Sequence, residues 1–172
     1  TDGQLKNVDF SYANLQGTQF GAQMNLSIKD RVLCMKFSSD GKKLAVCAET
    51  DILIFEMDEQ SRFSEAQRLR GHIIEVMTCS FSSDGRKLIS ADNDGQVRIW
   101  EVETGTCIDE FKADTTSITR CAISSDGTKL LLGSYIISEM KPEFRVYSRS
   151  DTNHKAYLCI ATIKNIISCE FS

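Results

Sequence analysis

Three near-identical heptapeptides constrain the fold of this chain more than any other feature. They read SSDGKKL at 38–44, SSDGRKL at 82–88 and SSDGTKL at 124–130, so their starts lie 44 and 42 residues apart. Such a period indicates one structural unit repeated along the chain and stacked so that neighbouring units bury each other's apolar faces. A fourth copy begins in IISCEFS and stops at Ser172, where its own Asp-Gly would follow. We therefore expect the chain to be a fragment of a longer polypeptide.

Each unit has the pattern of four β-strands. An apolar segment ending in Phe or Ile precedes each Ser-Ser-Asp-Gly, and a second apolar segment follows it. Gly tolerates a positive φ and Asp can hydrogen-bond its own backbone, so each Asp-Gly predicts a tight turn between antiparallel strands. A third strand (DILIFEM, QVRIWEV, EFRVYSR) and a fourth (RFSEAQRL, TCIDEF, AYLCIATI) follow in the three copies. The strands alternate with period two and show no helical stripe.

A four-stranded unit repeated every 40 to 45 residues or so is typical of a β-propeller blade. The sequence therefore predicts an all-β fold, a partial β-propeller of about three blades. The expected blades are 31–70, 71–112 and 113–163, followed by the start of a fourth at 164–172.

The middle copy, GHIIEVMTCSFSSDGRKLISADNDGQVRIWEVETG, resembles the WD-repeat family. Gly71-His72 opens it, and Trp100-Glu101 stands where that family has its Trp-Asp pair. The resemblance covers about residues 24–172 and implies a WD-repeat propeller with a buried, hydrogen-bonded tetrad in this copy. The matching tetrad residues are His72, Ser90, Asp94 and Trp100. A carboxylate, an imidazole, a hydroxyl and an indole N–H in that order would satisfy every buried polar group.

The flanking copies depart from this pattern. Phe55 and Tyr147 replace the Trp, and Ala113-Asp114 stands in the Gly-His place. The third copy also carries an insertion, SYIISEMKPE, before Tyr147. We expect incomplete tetrads in these copies but the same fold, because packing of the apolar strands supplies most of the stabilising free energy.

The first part of the chain follows a different period. Leu5, Phe10, Leu15 and Phe20 recur every five residues. This stretch, 1–22, resembles the pentapeptide-repeat family, which implies the end of a square, right-handed β-helix. Residues 23–30 would then be a linker or a strand that closes the propeller.

Charge and cysteine content argue against several classes of partner and site. Twenty basic and 24 acidic residues leave a net charge of −4, which gives no electrostatic reason to bind nucleic acid or an anionic membrane. The seven cysteines are odd in number and include no C-x-x-C pair, so they predict neither a metal site nor a disulfide framework. Three of them, Cys79, Cys121 and Cys169, fall at matching places in apolar strands, and we interpret these as reduced residues of the core. This favours a reducing compartment, the cytoplasm.

The candidate binding residues lie in turns. In propellers the turns entering the first strand and those between the second and third strands meet at one rim, which in the resembling family usually binds partners. The candidate residues there are Asp30, Arg31, Ile74, Glu75, Asn93, Thr116 and Ser117. Tyr135 and Ile136, in the insertion, are further candidates, since loops on rigid scaffolds often carry specificity. The pair Ile73-Ile74 would either anchor a partner or pack beneath its loop.

His72, Ser90 and Asp94 also suggest a Ser-His-Asp triad, but the tetrad positions are buried and no oxyanion-forming loop is evident. We predict a non-enzymatic scaffold or adaptor that binds other proteins or peptides and uses no cofactor. The alternative is a regulatory or substrate-recognition module of a larger enzyme, such as a signalling NTPase, a kinase or a ubiquitin ligase, with its catalytic domain outside this chain. A nucleotide-binding or kinase motif in the flanking sequence would distinguish the two.

Overall fold

The computed structural model describes residues 28–115, 117–136, 141–149 and 157–164. The stretch at 1–22, most of 23–30 and the fourth copy beyond Lys164 lie outside the described residues, so the predictions for them stay predictions. The described part of the chain folds entirely into strands and turns. It contains no helix with the length and apolar character needed to cross a membrane.

Twelve strands occur among the described residues. They are β1 (Val32–Phe37), β2 (Lys43–Ala48), β3 (Asp51–Met57), β4 (Phe63–Leu69), β5 (Val76–Phe81), β6 (Lys87–Asp92), β7 (Gln96–Glu101), β8 (Thr106–Lys112), β9 (Ile118–Ile123), β10 (Lys129–Ile136), β11 (Lys141–Arg149) and β12 (Tyr157–Lys164).

Each group of four consecutive strands forms one antiparallel sheet. The sheets are β1 to β4, β5 to β8 and β9 to β12, and within each sheet the neighbours follow chain order. These are the three four-stranded meanders predicted from the repeats, and they confirm the all-β propeller architecture. The insertion of the third copy lengthens the β10–β11 hairpin, whose register continues to the pair Ile136 and Lys141.

The repeated heptapeptide is a self-contained hydrogen-bonded turn. In the second copy the Ser82 hydroxyl donates to Asp84 Oδ1 at 2.6 Å and accepts the backbone N–H of Lys87 at 2.9 Å. The bond from Ser82 holds the pKa of Asp84 below its usual value. Gly85 has a φ of 69°, which the turn requires and which L side chains rarely adopt. The same bonds recur in the other two copies, which explains why the first Ser, the Asp and the Gly repeat together.

The blades pack face to face through two apolar layers. The layer between the first and second blades contains Ala45, Cys47, Ile52, Ile54, Leu69, Val76, Cys79, Phe81, Leu88, Trp100 and Val102. The layer between the second and third blades contains Ile89, Ala91, Val97, Ile99, Ala113, Ile118, Ile123, Leu130, Leu132, Tyr147 and Tyr157. Alternate residues of β6 and β7 therefore face opposite layers, which is why the inner strands of the second blade are apolar on both faces.

The outer strand of the third blade differs from these inner strands. Beyond the buried Tyr157, the residues of β12 are exposed on both faces of the strand. Its large apolar side chains Leu158, Ile160 and Ile163 are 56%, 59% and 37% exposed. The apolar surface of this blade is thus covered on the side of the second blade and open along its outer strand.

Candidate functional site

A buried polar network lies inside the second blade. His72 comes from the segment before β5, Ser90 from β6 and Trp100 from β7. The Trp100 indole N–H donates to Ser90 Oγ at 2.8 Å, and His72 Nε2 lies 2.8 Å from the same hydroxyl. His72 Nδ1 lies 3.0 Å from Asp92 Oδ2. With the imidazole proton on Nδ1, the tautomer that fits this chain of bonds, every one of these polar groups has a partner.

The carboxylate of this network is Asp92, and the prediction of Asp94 was wrong. Side chains two residues apart share a face of a strand, so Asp92, the last residue of β6, points the same way as Ser90. Asp94 lies beyond the strand, in the turn, and is exposed. The second oxygen of Asp92 accepts the backbone N–H groups of Asp94 at 3.1 Å and Gln96 at 2.9 Å. One carboxylate therefore holds both the imidazole and the turn.

The network has the groups of a catalytic triad but not the access that catalysis requires. Ser90 is 0% exposed, and its oxygen is already bonded to both the indole and the imidazole. Burial lowers the pKa of His72 against the opposing effect of the Asp92 carboxylate, so the imidazole is neutral at physiological pH. A substrate would have to displace the core of the blade to reach the hydroxyl. The geometry therefore supports a structural role for these residues.

The equivalent positions of the first blade are entirely apolar. The strand registers place Val46, Ala48 and Phe55 where the second blade has Ser90, Asp92 and Trp100. Val46, Ala48 and Phe55 form one buried cluster, and Ile28, four residues before β1, packs against it. The incomplete tetrad predicted for this blade is thus replaced by apolar packing.

The third blade has a different polar network, which the sequence did not predict. Tyr147 takes the place of the Trp, and its hydroxyl donates to the carboxylate of Asp114. The bond from Tyr147 lowers the pKa of Asp114. Arg145 joins the Asp114 carboxylate at 2.8 Å to the buried Glu143 at 2.6 Å. The available sequence signal was Asp114, a charged residue where the WD-repeat pattern has Gly-His. Its partners Arg145 and Tyr147 lie about 30 residues away, and the insertion between them made the strand register hard to predict.

The loops predicted to meet at one rim are joined by backbone hydrogen bonds. Two of the bonds run within a blade and two run between neighbouring blades. The bonds run from Glu49 N–H to Arg31 C=O (3.2 Å), Val76 N–H to Glu49 C=O (2.7 Å), Asn93 N–H to Glu75 C=O (3.2 Å) and Ser117 N–H to Asn93 C=O (3.0 Å). The structure thus brings together Arg31, Glu75, Asn93 and Ser117, although these residues are far apart in the chain.

A cavity of about 500 Å³ opens on this rim between the first two blades. Its lining consists of Glu49, Thr50, Ile73, Ile74, Glu75, Asn93 and Asp94. Ile73 is 89% exposed, whereas Ile74 is half-buried. The two residues of this apolar pair therefore differ. Ile73 is exposed enough to anchor a partner, whereas the side chain of Ile74 is partly covered within its loop. Sequence reasoning considered both residues as a possible anchor but named only Ile74 among the rim candidates.

Three of the seven residues that line the cavity are acidic: Glu49, Glu75 and Asp94. Arg31 Nη1 lies 3.2 Å from Glu75 Oε1, so the charge of this glutamate is partly compensated. Among the described residues, neither Glu49 nor Asp94 has an ion-pair partner. The rim around Ile73 therefore has an excess of negative charge.

Two of the remaining candidates, Asp30 and Tyr135, lie near the rim but outside the cavity lining. Asp30 is exposed, with Oδ2 at 4.0 Å from Arg68 Nη1. Tyr135 is 43% exposed and lies at the rim end of β10, one residue beyond the pair formed by Ser134 and Ile118. Thr116 and the side chain of Ile136 lie outside the described residues.

Comparison with known proteins gives the same architecture. Residues 63–101 match the family described as WD domain, G-beta repeat. This match begins with β4, the outer strand of the first blade, and ends with β7. The sequence repeat is therefore offset by one strand from the structural blade.

The chain is 29% identical over 115 residues to the WD repeat-containing protein WDS homolog of Arabidopsis thaliana, covering 65% of this chain and 22% of that protein. It is 37% identical over 78 residues to Nuclear distribution protein nudF of Emericella nidulans, covering 44% of this chain and 18% of that protein. The chain spans about a fifth of the length of these relatives.

Among solved structures, the chain is similar to the β-propeller domain of Cps50 (Swd1) from Myceliophteria thermophila. The TM-score is 0.61 at 18% identity, covering 80% of this chain and 40% of that one. At this level of identity the likeness concerns the fold.

Proposed function

We propose that this segment of a WD-repeat β-propeller is a non-enzymatic scaffold that binds other proteins through the rim cavity. WD-repeat proteins generally act in protein–protein interaction, and their propellers are generally not catalytic. The observation that carries the proposal is Ile73, a large aliphatic side chain that is 89% exposed at the edge of a cavity. An isoleucine contributes about 1.5–3 kcal/mol when it is fully buried, so a partner that covers this side chain gains a substantial anchor.

The charge of the rim favours one kind of partner. Glu49 and Asp94 lie on the cavity wall without ion-pair partners among the described residues. A segment that presents an apolar side chain next to Lys or Arg would complement both Ile73 and these carboxylates. Electrostatic complementarity of this kind raises association rates and selects against acidic partners. A net charge of −4 for the chain as a whole supports the same choice, proteins rather than nucleic acid or an anionic membrane.

The rim also has the rigidity that a binding surface needs. The backbone bonds between Val76 and Glu49 and between Ser117 and Asn93 fix the loops of neighbouring blades relative to one another. Loops that are ordered before binding lose less conformational entropy on association.

Ile73→Asp in the full-length protein tests the proposal. Proteins captured from cells with the wild type, with Ile73→Asp and with Ile108→Asp are compared by quantitative mass spectrometry. Ile108 is a matched control, because it is 47% exposed but lies on β8, away from the cavity. We expect a set of partners that Ile73→Asp loses and Ile108→Asp retains. Each of these partners, once purified, should bind Ile73→Asp more weakly than it binds the wild type or Ile108→Asp. An identical set of partners for all three proteins would refute the rim as the binding site.

We also propose that the protein acts in the cytoplasm. The support is chemical: Cys47 and Cys79 are buried thiols within the layer between the first two blades. Free thiols persist in compartments that keep cysteine reduced. Imaging of the tagged full-length protein tests this, and secretion into the medium would contradict it.

A further inference from the structure

Three cysteine thiols meet at the junction of the first and second blades. Cys34 lies on β1, Cys47 on β2 and Cys79 on β5, and their sulfur atoms all lie within 4.8 Å of one another. Cys34 and Cys47 are direct register partners in the first blade, and Cys79 reaches them from the second. Their separations along the chain, 13 and 32 residues, match no metal-binding motif, which is why the sequence did not reveal the group.

The ligand chemistry of this group is restricted to sulfur. No His, Asp or Glu side chain belongs to the cluster within the described residues. Thiolates are soft ligands and select Cu(I), Zn(II) or iron–sulfur clusters over hard cations such as Mg²⁺ and Ca²⁺. Zn(II) is almost always bound by four ligands in structural sites, whereas three sulfur atoms complete the trigonal coordination that Cu(I) accepts.

The spacing of the sulfurs suits such an ion after a small contraction. The centre of an equilateral triangle with a 4.8 Å edge lies about 2.8 Å from each corner, against a metal–sulfur bond of about 2.3 Å. Each sulfur would therefore move inward by roughly half an ångström at most, which is within the range of a side-chain rotation.

We propose that Cys34, Cys47 and Cys79 bind one Cu(I) ion and thereby link the first blade to the second. Cys47 and Cys79 are completely buried, while Cys34 is partly exposed and gives the ion a path from solvent. Lys36, on the same face of β1 as Cys34, places a positive charge where it offsets part of the negative charge of three thiolates. The ion adds bonds across an apolar layer, beside the backbone hydrogen bond that Val76 donates to Glu49.

Anaerobic titration of the reduced chain with Cu(I), supplied as its acetonitrile complex in competition with bicinchoninate, tests the proposal. The variants are Cys34→Ser, whose side chain is partly exposed, and Cys79→Ala. The matched control is Cys159→Ser, since Cys159 is an exposed thiol on β12, outside the cluster. Circular dichroism of each apo variant establishes that it is folded before titration.

We expect one Cu(I) per chain in the wild type and in Cys159→Ser, with three sulfur neighbours by X-ray absorption. The affinity for Cu(I) should fall by at least about tenfold in Cys34→Ser. Replacing a residue that only orients a metal ligand already costs about this much, and Cys34 would be a ligand itself. Equal affinity in the wild type and Cys34→Ser, or a loss caused by Cys159→Ser, would overturn the proposal. So would a fully reduced, folded wild type that binds no Cu(I).

Discussion

Replacing Asp92 by Ala should destabilise the chain far more than replacing Asp94, although both carboxylates belong to one turn. Asp92 accepts bonds from His72 and from two backbone N–H groups, whereas Asp94 is exposed. A buried donor left without a partner costs about 1–3 kcal/mol, and the backbone groups of the turn are close enough to water to recover part of their loss. We therefore expect Asp92→Ala to lower the free energy of unfolding by about 3 kcal/mol, and Asp94→Ala by no more than about 0.5 kcal/mol.

Urea and thermal unfolding followed by tryptophan fluorescence are suited to this comparison. Trp100 is the single tryptophan of the chain and is 1% exposed within the same network, so its emission reports on the blade directly. For a chain of this size a loss of 3 kcal/mol corresponds to a fall in Tm of about 10 °C. A larger loss in Asp94→Ala, or equal losses in the two variants, would refute the assignment of Asp92 to the network.

Two further predictions concern protonation and backbone strain. Since burial lowers the pKa of His72, the unfolded chain takes up a proton below about pH 6.5 that the folded chain does not, so stability should fall as pH drops from 7.5 to 5.5. Urea midpoints should show a smaller fall in His72→Gln, and an equal fall in both proteins would contradict this. Gly95→Ala should cost well over the roughly 1 kcal/mol expected of Gly41→Ala, because a Cβ at Gly95 would collide with the carbonyl oxygen of Thr115 while Gly41 has open space around it. Equal thermal midpoints for the two glycine variants would count against this account.

The blades could be predicted from the sequence because their determinants are local. The Ser-Asp-Gly turn is fixed by bonds within six residues, as between Ser82 and Lys87, and it repeats three times. The alternation of apolar residues then places the flanking strands on either side of each turn. Neither step depends on contacts between distant parts of the chain.

The details of the site depend on register and on distant contacts, which sequence patterns do not fix. Asp92 and Asp94 are equally good carboxylates, and only the position at which β6 ends decides which one faces His72. The bond between Tyr147 and Asp114 and the cluster around Cys79 require neighbouring blades or inserted hairpins to be in place. Such pairings appear only when three-dimensional packing is known.

The four hydrogen bonds that connect the rim loops use backbone atoms, and the exposed ion pair between Arg31 and Glu75 adds little to them. The side chains of Arg31, Glu75 and Asn93 can therefore change without removing the bonds that hold their loops in place. Related chains that keep the blade positions could diverge freely at these three positions and acquire new recognition properties at little cost in stability. Evolution of partner choice and preservation of the fold are, at this rim, largely independent of each other.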